Sequence, residues 1–150
     1  MAAPTEQIAD FLTRIGIPIR AEPLDEPTFL PGVALRQGVI VYDPGRLLHP
    51  GDLLHEAGHI AVTEPGGRGA LNGDAEDDPG EEMAAIAWSF AAARALGLDP
   101  RLVFHDHGYR GEGAAIAEIF ETTPGFGVPL LAWYGMTTMA AFPAMTRWLR

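Results

Sequence analysis

The stretch Asp52-Leu53-Leu54-His55-Glu56-Ala57-Gly58-His59-Ile60-Ala61 organises the rest of this chain. Its apolar residues recur at the spacing of one face of an α-helix. With Pro50 at a first helical position and Pro65 beyond the other end, the pattern predicts a helix over 50–63. We expect the apolar face to pack on a core and the opposite face, with His55, Glu56 and His59, to carry the chemistry. The apolar face consists of Leu53, Leu54, Ala57, Ile60 and Ala61.

The two histidines of this stretch have the spacing of paired metal ligands. His55 and His59 lie four residues apart, which on a helix places them about 40° apart on one face, so that both imidazoles can bind one ion. Glu56 lies beside them, where a carboxylate can hold and deprotonate a metal-bound water. The motif therefore predicts a metal site with Glu56 as general base.

Composition limits which metal chemistry is open to the chain. There is no cysteine, so a zinc ion would have to be held by histidine and carboxylate, and disulfides and cysteine nucleophiles are excluded. The length of 150 residues and the hydrophobic fraction of 47% predict one domain, residues 1–150, with a sizeable core. The lack of cysteine is compatible with a reducing cytosol, and we expect a cytoplasmic protein.

The charge and the ends of the chain restrict its partners. The formal net charge of -10 argues against nucleic acid, because a phosphate backbone calls for a basic patch and none is visible. The N-terminus lacks the basic and apolar regions of a signal peptide, and no run of 18 or more apolar residues is present, so we expect no membrane partner. We therefore expect a peptide or protein as the substrate.

The part before the motif predicts a helix and a small hairpin. Residues 4–15 have helical apolar spacing and end at Gly16, whereas the prolines of 17–27 favour an extended or turning arm. Residues 29–35 and 39–42 look like two strands joined by a glycine-containing turn. This hairpin either presents an edge to which an extended peptide adds as a further strand, or only covers the core.

A second helix is predicted after a long loop over 64–80. Asp78 is the expected N-cap of a helix that runs to about Leu96, and its nearly all-round apolar sequence predicts burial. A carboxylate at the start of a buried helix needs a partner, and a metal is a good one. Glu81 has the capping-box position, three residues after Asp78, which leaves Glu82 as the preferred third ligand over Glu81.

The remaining chain offers further polar candidates. His105 and His107 alternate along an extended segment, and Tyr109 carries a phenol suited to an oxyanion, so Tyr109 and His105 are candidate catalytic groups. The competing interpretation is a surface turn. Residues 114–121 and 130–149 predict short helices, whose inward-facing residues would be Ile116, Ile119, Phe120, Trp133, Met139, Phe142 and Trp148.

Taken together, His55-Glu56-x-x-His59 and Glu82 at the head of an Ala-rich helix resemble the gluzincin type of zinc metallopeptidase, and most closely the compact ImmA/IrrE-type family. The pentapeptide also resembles the active helix of membrane-bound AAA proteases. The resemblance covers about residues 28–98 and implies His55, His59 and Glu82 as Zn²⁺ ligands, with Glu56 as base.

The sequence predicts an α+β fold, a helix-rich single domain with a small β-hairpin before the motif helix. The predicted function is that of a zinc-dependent hydrolase, most simply a peptidase using a metal-activated water. The alternative is a catalytically inactive zinc-binding or partner-binding domain that keeps the motif.

Overall fold

A small mixed sheet and a set of helices surround the motif helix in the computed structural model, which describes residues 3–72, 78–105, 113–122 and 125–150. The predicted α+β class is confirmed. Within the described residues, no helix combines the length and apolarity needed to cross a bilayer.

The first helix, α1, spans Pro4–Ile15 as predicted. It ends where Gly16 adopts φ 96°, a left-handed conformation that favours glycine. Its inner face buries Ile8, Phe11 and Leu12 against the core.

The sheet has three strands rather than the two of a hairpin. They are β1 (Ile19–Ala21), β2 (Val33–Arg36) and β3 (Val39–Tyr42), in the spatial order β1-β3-β2, with β1 parallel to β3 and β2 antiparallel to it. The prediction of a mere arm over 17–27 missed β1, because three residues near prolines carry no alternating pattern. The strand is defined only by its pairing with β3. The free edge on the hairpin side is β2.

The predicted start of the first hairpin strand at residue 29 is wrong. Gly32 has φ 74°, and a Cβ added there would lie 2.4 Å from the backbone nitrogen of Leu47. The chain turns here, and β2 begins one residue later at Val33. Phe29 consequently lies outside the sheet with its side chain 77% exposed. The turn of the hairpin is formed by Gln37 and Gly38, both with positive φ, as a tight two-residue connection requires.

The motif helix, α2, spans Asp52–Val62, so the prediction that Pro50 starts it is wrong. Pro50 instead lies in a preceding turn, where its carbonyl accepts a hydrogen bond from the Leu53 N–H. Gly51 contacts the backbone of Leu102 so closely that a side chain could not fit there. On the face expected to carry the chemistry, Glu56 is buried and only 7% exposed.

The second long helix, α3, spans Pro79–Ala95, and residues 84–93 are buried as predicted. Asp78 caps it by accepting hydrogen bonds from the N–H groups of Gly80 and Glu81. α2 and α3 cross closely at Gly58. A Cβ added at Gly58 would lie 2.7 Å from the Ala85 carbonyl oxygen, so the crossing needs a residue without a side chain here. The loop predicted over 64–80 contains a 3-10 helix at Pro65–Ala70.

The last part consists of short elements: a 3-10 helix at Pro100–Leu102, α4 at Gly113–Thr122 and α5 at Val128–Trp133. The packing of Phe120, Phe142 and Trp148 against the core is confirmed, and Ile116 is partly buried there. Three residues predicted to face inward are exposed instead. Ile119 on α4 is 41% and Trp133 at the end of α5 is 84% exposed, because such short helices bury only a narrow face. Met139 is 47% exposed and lies in a turn after α5 rather than in a helix.

Candidate metal centre

α2 and α3 bring His55, His59 and Glu82 together, the three residues that the sequence predicts as ligands. One possible ligand atom of each lies within 4.8 Å of the corresponding atoms of the other two. The Nε2 atom of His59 is 2.9 Å from the Oε2 atom of Glu82. The rings of the two histidines lie 5.0 Å apart and nearly perpendicular, at 80°. The arrangement is therefore a three-donor cluster contributed by two helices.

The local sequence fixes this geometry. One helical turn places His55 and His59 on the same face of α2. Asp78 fixes the start of α3, so that Glu82 lies in its first turn. Gly58 lets the two helices cross closely enough for the carboxylate to reach the imidazoles.

The electrostatics of the cluster differ between its two histidines. Burial and then the nearby charge of His59 lower the pKa of His55 to about 4, so His55 is neutral at neutral pH. Burial also acts to lower the pKa of His59, but the hydrogen bond and the charge of Glu82 outweigh it, and the net pKa is raised. Burial acts to raise the pKa of Glu82, yet His59 lowers it overall. The carboxylate is therefore ionised opposite an imidazole that readily holds a proton.

The donor set fits a zinc ion. Two histidines and one carboxylate leave a fourth position for water, which is the ligand set of hydrolytic zinc sites. Ligand atoms about 2.1 Å from a tetrahedral zinc lie about 3.4 Å from each other, so the pair at 2.9 Å needs to open by only a fraction of an ångström. His55 and Glu82 are partly exposed, which gives solvent access to the group.

Glu56 is positioned beside this cluster and at a cavity. Its negative charge contributes to raising the pKa of His59, which places the carboxylate near the donor group. It also lines a cavity of about 230 Å³ between β2 and residues 26–30. Glu56 is therefore a buried carboxylate that lies near the three donors and also lines a cavity.

The structure separates the two adjacent glutamates. Glu82 belongs to the donor cluster, whereas the Oε1 atom of Glu81 lies 3.6 Å from the Nη1 atom of Arg150. In a capping box the Asp78 N–H would donate a hydrogen bond to the Glu81 carboxylate, and this bond is not found among the described residues. Glu81 is thus directed towards Arg150 rather than towards the cap or the histidines.

His105 lies at the other end of the motif helix. Its Nε2 atom is 2.7 Å from the Oδ1 atom of Asp52, and its ring stacks on that of His49 at 3.7 Å. Sequence reasoning missed both partners, although Asp52 lies three residues before His55 and therefore on the same helix face. The other polar candidates of this region, Tyr109 and His107, lie outside the described residues.

Comparison with protein-family models, with curated proteins and with solved structures gave no match to this chain. The case for a function therefore rests on the donor cluster, on Glu56 and on the cavity beside it.

Proposed function

We propose that this protein is a zinc-dependent hydrolase, specifically a peptidase of the ImmA/IrrE-like gluzincin type. In this proposal His55, His59 and Glu82 hold the ion and Glu56 is the general base. The observation that carries the proposal is the convergence of the three donors beside a buried glutamate that lines a cavity.

The proposed mechanism gives the zinc ligands and Glu56 different chemical roles. A zinc ion held here would polarise the scissile carbonyl and lower the pKa of a water towards about 7. The Glu56 carboxylate takes one proton from the attacking water while the water oxygen bonds to the carbonyl carbon. Glu56 then gives that proton to the leaving amine as the C–N bond breaks. The burial of Glu56 excludes bulk water from this proton transfer.

The β2 edge supports an extended peptide as substrate. Asp43 N–H donates to the Gly32 carbonyl at 2.9 Å, and the alternation of an antiparallel pair then directs the backbone groups of Ala34 and Arg36 to β3. The backbone groups of Leu35 accordingly face the open edge. Because residues of β2 and Glu56 line the same cavity, a peptide that adds to β2 would lie beside the proposed base.

The test is replacement of Glu56 by Gln. Glu56→Gln should lower hydrolysis of fluorescein-labelled casein by about 10²- to 10⁴-fold, because the general base is lost. Elemental analysis should still find the wild-type zinc content, since Glu56 is not a ligand. Glu118→Gln, an exposed position on α4, is the matched control and should behave as wild type.

Two outcomes would contradict the proposal. Wild-type hydrolysis rates in Glu56→Gln would remove Glu56 from the mechanism. Bound zinc without any Glu56-dependent hydrolysis in the wild type would favour the alternative, a zinc-binding or partner-binding domain without catalytic activity.

A further inference from the structure

The cavity beside Glu56 combines an apolar lining with a small number of charged groups. Its volume is about 230 Å³, and it lies between β2 and residues 26–30. Among the described residues that line it, the charged ones are Glu26, Arg36 and Glu56, which gives a formal excess of one negative charge. The apolar lining residues are Pro27, Phe29, Leu30, Val33, Ala34 and Leu35.

Four charged side chains of alternating sign form a row that ends at this cavity. The Nε atom of Arg20, on β1, lies 2.9 Å from the Oε2 atom of Glu22. The Oε1 atom of Glu22 lies 3.1 Å from the Nη1 atom of Arg36, on β2. The Nη2 atom of Arg36 in turn contacts the Oε1 atom of Glu26. Glu26 is the last member of the row.

The position of Glu26 in this row leaves part of its carboxylate available. Arg36 is shared between two carboxylates, so Glu22 already balances part of its charge. The Oε2 atom of Glu26 has no hydrogen bond or ion pair with any residue that the structure describes. The Glu26 side chain is also 54% exposed, so a ligand can reach it. Arg36 therefore orients a carboxylate that can accept one more cation.

We propose that Glu26 is a specificity-determining residue, whose carboxylate binds a basic side chain, lysine or arginine, of the peptide substrate. This inference rests on the proposed peptidase function. Glu26 takes no part in the bond-breaking step and acts only on which peptides bind.

The shape and lining of the cavity suit a side chain of this kind. Lysine and arginine have an aliphatic stem and a charged head, so the stem packs on the apolar lining while the head reaches Glu26. The volume is below the range of about 300–1,000 Å³ that holds a whole small molecule, and so it fits one side chain. Because Glu56 lines the same cavity, that side chain belongs to a residue near the scissile bond.

The charge of the whole chain acts in the same direction. The formal net charge of -10 favours the approach of cationic peptides over anionic ones. This long-range attraction does not select a position in the peptide, whereas a single carboxylate in the cavity does. The experiment therefore has to separate the effect of Glu26 from the effect of overall charge.

The experiment uses a library of quenched-fluorescence peptides, from which the best substrate of the wild type is identified. Versions of that peptide carry Lys, Met or Glu at each position near the cleaved bond, since Met is unbranched and uncharged. The variants are Glu26→Gln and Glu26→Lys, and Arg36 keeps its partner Glu22 in both. The matched control is Asp25→Asn, an exposed neighbouring carboxylate that does not line the cavity. Zinc content is measured for every protein.

At one position the wild type should prefer Lys over Met by about 5- to 30-fold in kcat/KM, mainly through KM. Glu26→Gln should lose this preference and keep the rate on the Met peptide, and Glu26→Lys should prefer the Glu peptide. Asp25→Asn should retain the preference for Lys. The preference should weaken as salt is added, because Glu26 is half exposed. Affinities of the same peptides for Glu56→Gln, measured by fluorescence anisotropy, should follow the same order without turnover.

Several outcomes would overturn the inference. If the wild type cleaves the Lys and Met peptides equally well at every position, the inference fails while the proposed function stands. If Glu26→Gln keeps the preference for Lys, or if Asp25→Asn loses it to the same extent, the preference comes from overall charge rather than from Glu26. If the wild type cleaves no peptide of the library, the proposed function fails and this inference fails with it.

Discussion

The Nε2 atom of His59 lies 2.9 Å from the Oε2 atom of Glu82, although the two residues belong to different helices. The contact joins the last turn of α2 to the first turn of α3. The two atoms share a proton, and both are candidate metal ligands. A metal that enters this group must displace that proton, because an imidazole binds metal only when the ligating nitrogen is unprotonated.

Zinc binding should therefore release protons in a defined number. His55, with its pKa lowered to about 4, is already neutral at pH 6. The pKa of His59 is raised and that of Glu82 lowered, so His59 holds the proton that is lost. We expect the release of about one proton per zinc at pH 6, and affinity that rises with pH up to the pKa of His59.

Calorimetric titration with zinc in buffers of different ionisation enthalpy measures this number. Release of two protons would mean that His55 is also protonated in the free protein. Release of none would mean that the contact between His59 and Glu82 does not raise the pKa of His59.

Gly58 should be needed for the crossing of the two helices. Gly58→Ala places a Cβ 2.7 Å from the backbone oxygen of Ala85, and the helices must separate, which costs about 1–3 kcal/mol of the free energy of unfolding. This exceeds the gain of about 1 kcal/mol from helix propensity. Zinc affinity should fall as well, since Glu82 moves away from the histidines.

The matched control for Gly58 is Gly66→Ala, where nothing lies within 4 Å of the added Cβ. We expect a change within about 0.5 kcal/mol there. Urea denaturation of the two zinc-free variants measures the difference. Equal stability of Gly58→Ala and wild type would show that this contact does not limit how closely α2 and α3 approach each other.

Phe29 should contribute to substrate binding rather than to chemistry. Phe29 is 77% exposed and lines the same cavity as Glu56, so a bound peptide would cover it. Phe29→Ala should raise KM several-fold and leave kcat nearly unchanged. Trp133→Ala, an aromatic residue 84% exposed and outside the lining of that cavity, is the control. An unchanged KM together with an unchanged kcat in Phe29→Ala would place the substrate elsewhere.

Local patterns sufficed to place α1, α2 and α3, apart from the first residues of α2, and to group His55, His59 and Glu82. The spacing of His55 and His59, the cap at Asp78 and the apolar run after Glu82 are all short-range features, and each predicts one element without knowledge of the others. The choice of Glu82 over Glu81 came from the capping position of Glu81. The structure agrees in placing Glu82 in the cluster, although Glu81 is directed to Arg150 rather than to the cap.

Features that depend on distant residues could not be predicted. β1 exists because Ile19 to Ala21 pair with β3, and three residues carry no signal of that pairing. The partnership of Asp52 with His105 joins residues far apart in sequence, and only the fold brings them together. The exposure of Trp133 has a similar origin, because apolar sequence alone does not say which face of a short helix meets the core.

The most direct test of the account is the zinc content of protein purified without a histidine tag, determined by elemental analysis after dialysis for the wild type, Glu82→Ala and Glu81→Ala. The account predicts one zinc per chain in the wild type and in Glu81→Ala, and loss of zinc in Glu82→Ala, because removal of one of three protein ligands weakens zinc by orders of magnitude. A wild type without metal, or a Glu82→Ala variant that keeps its zinc while Glu81→Ala loses it, would contradict the account.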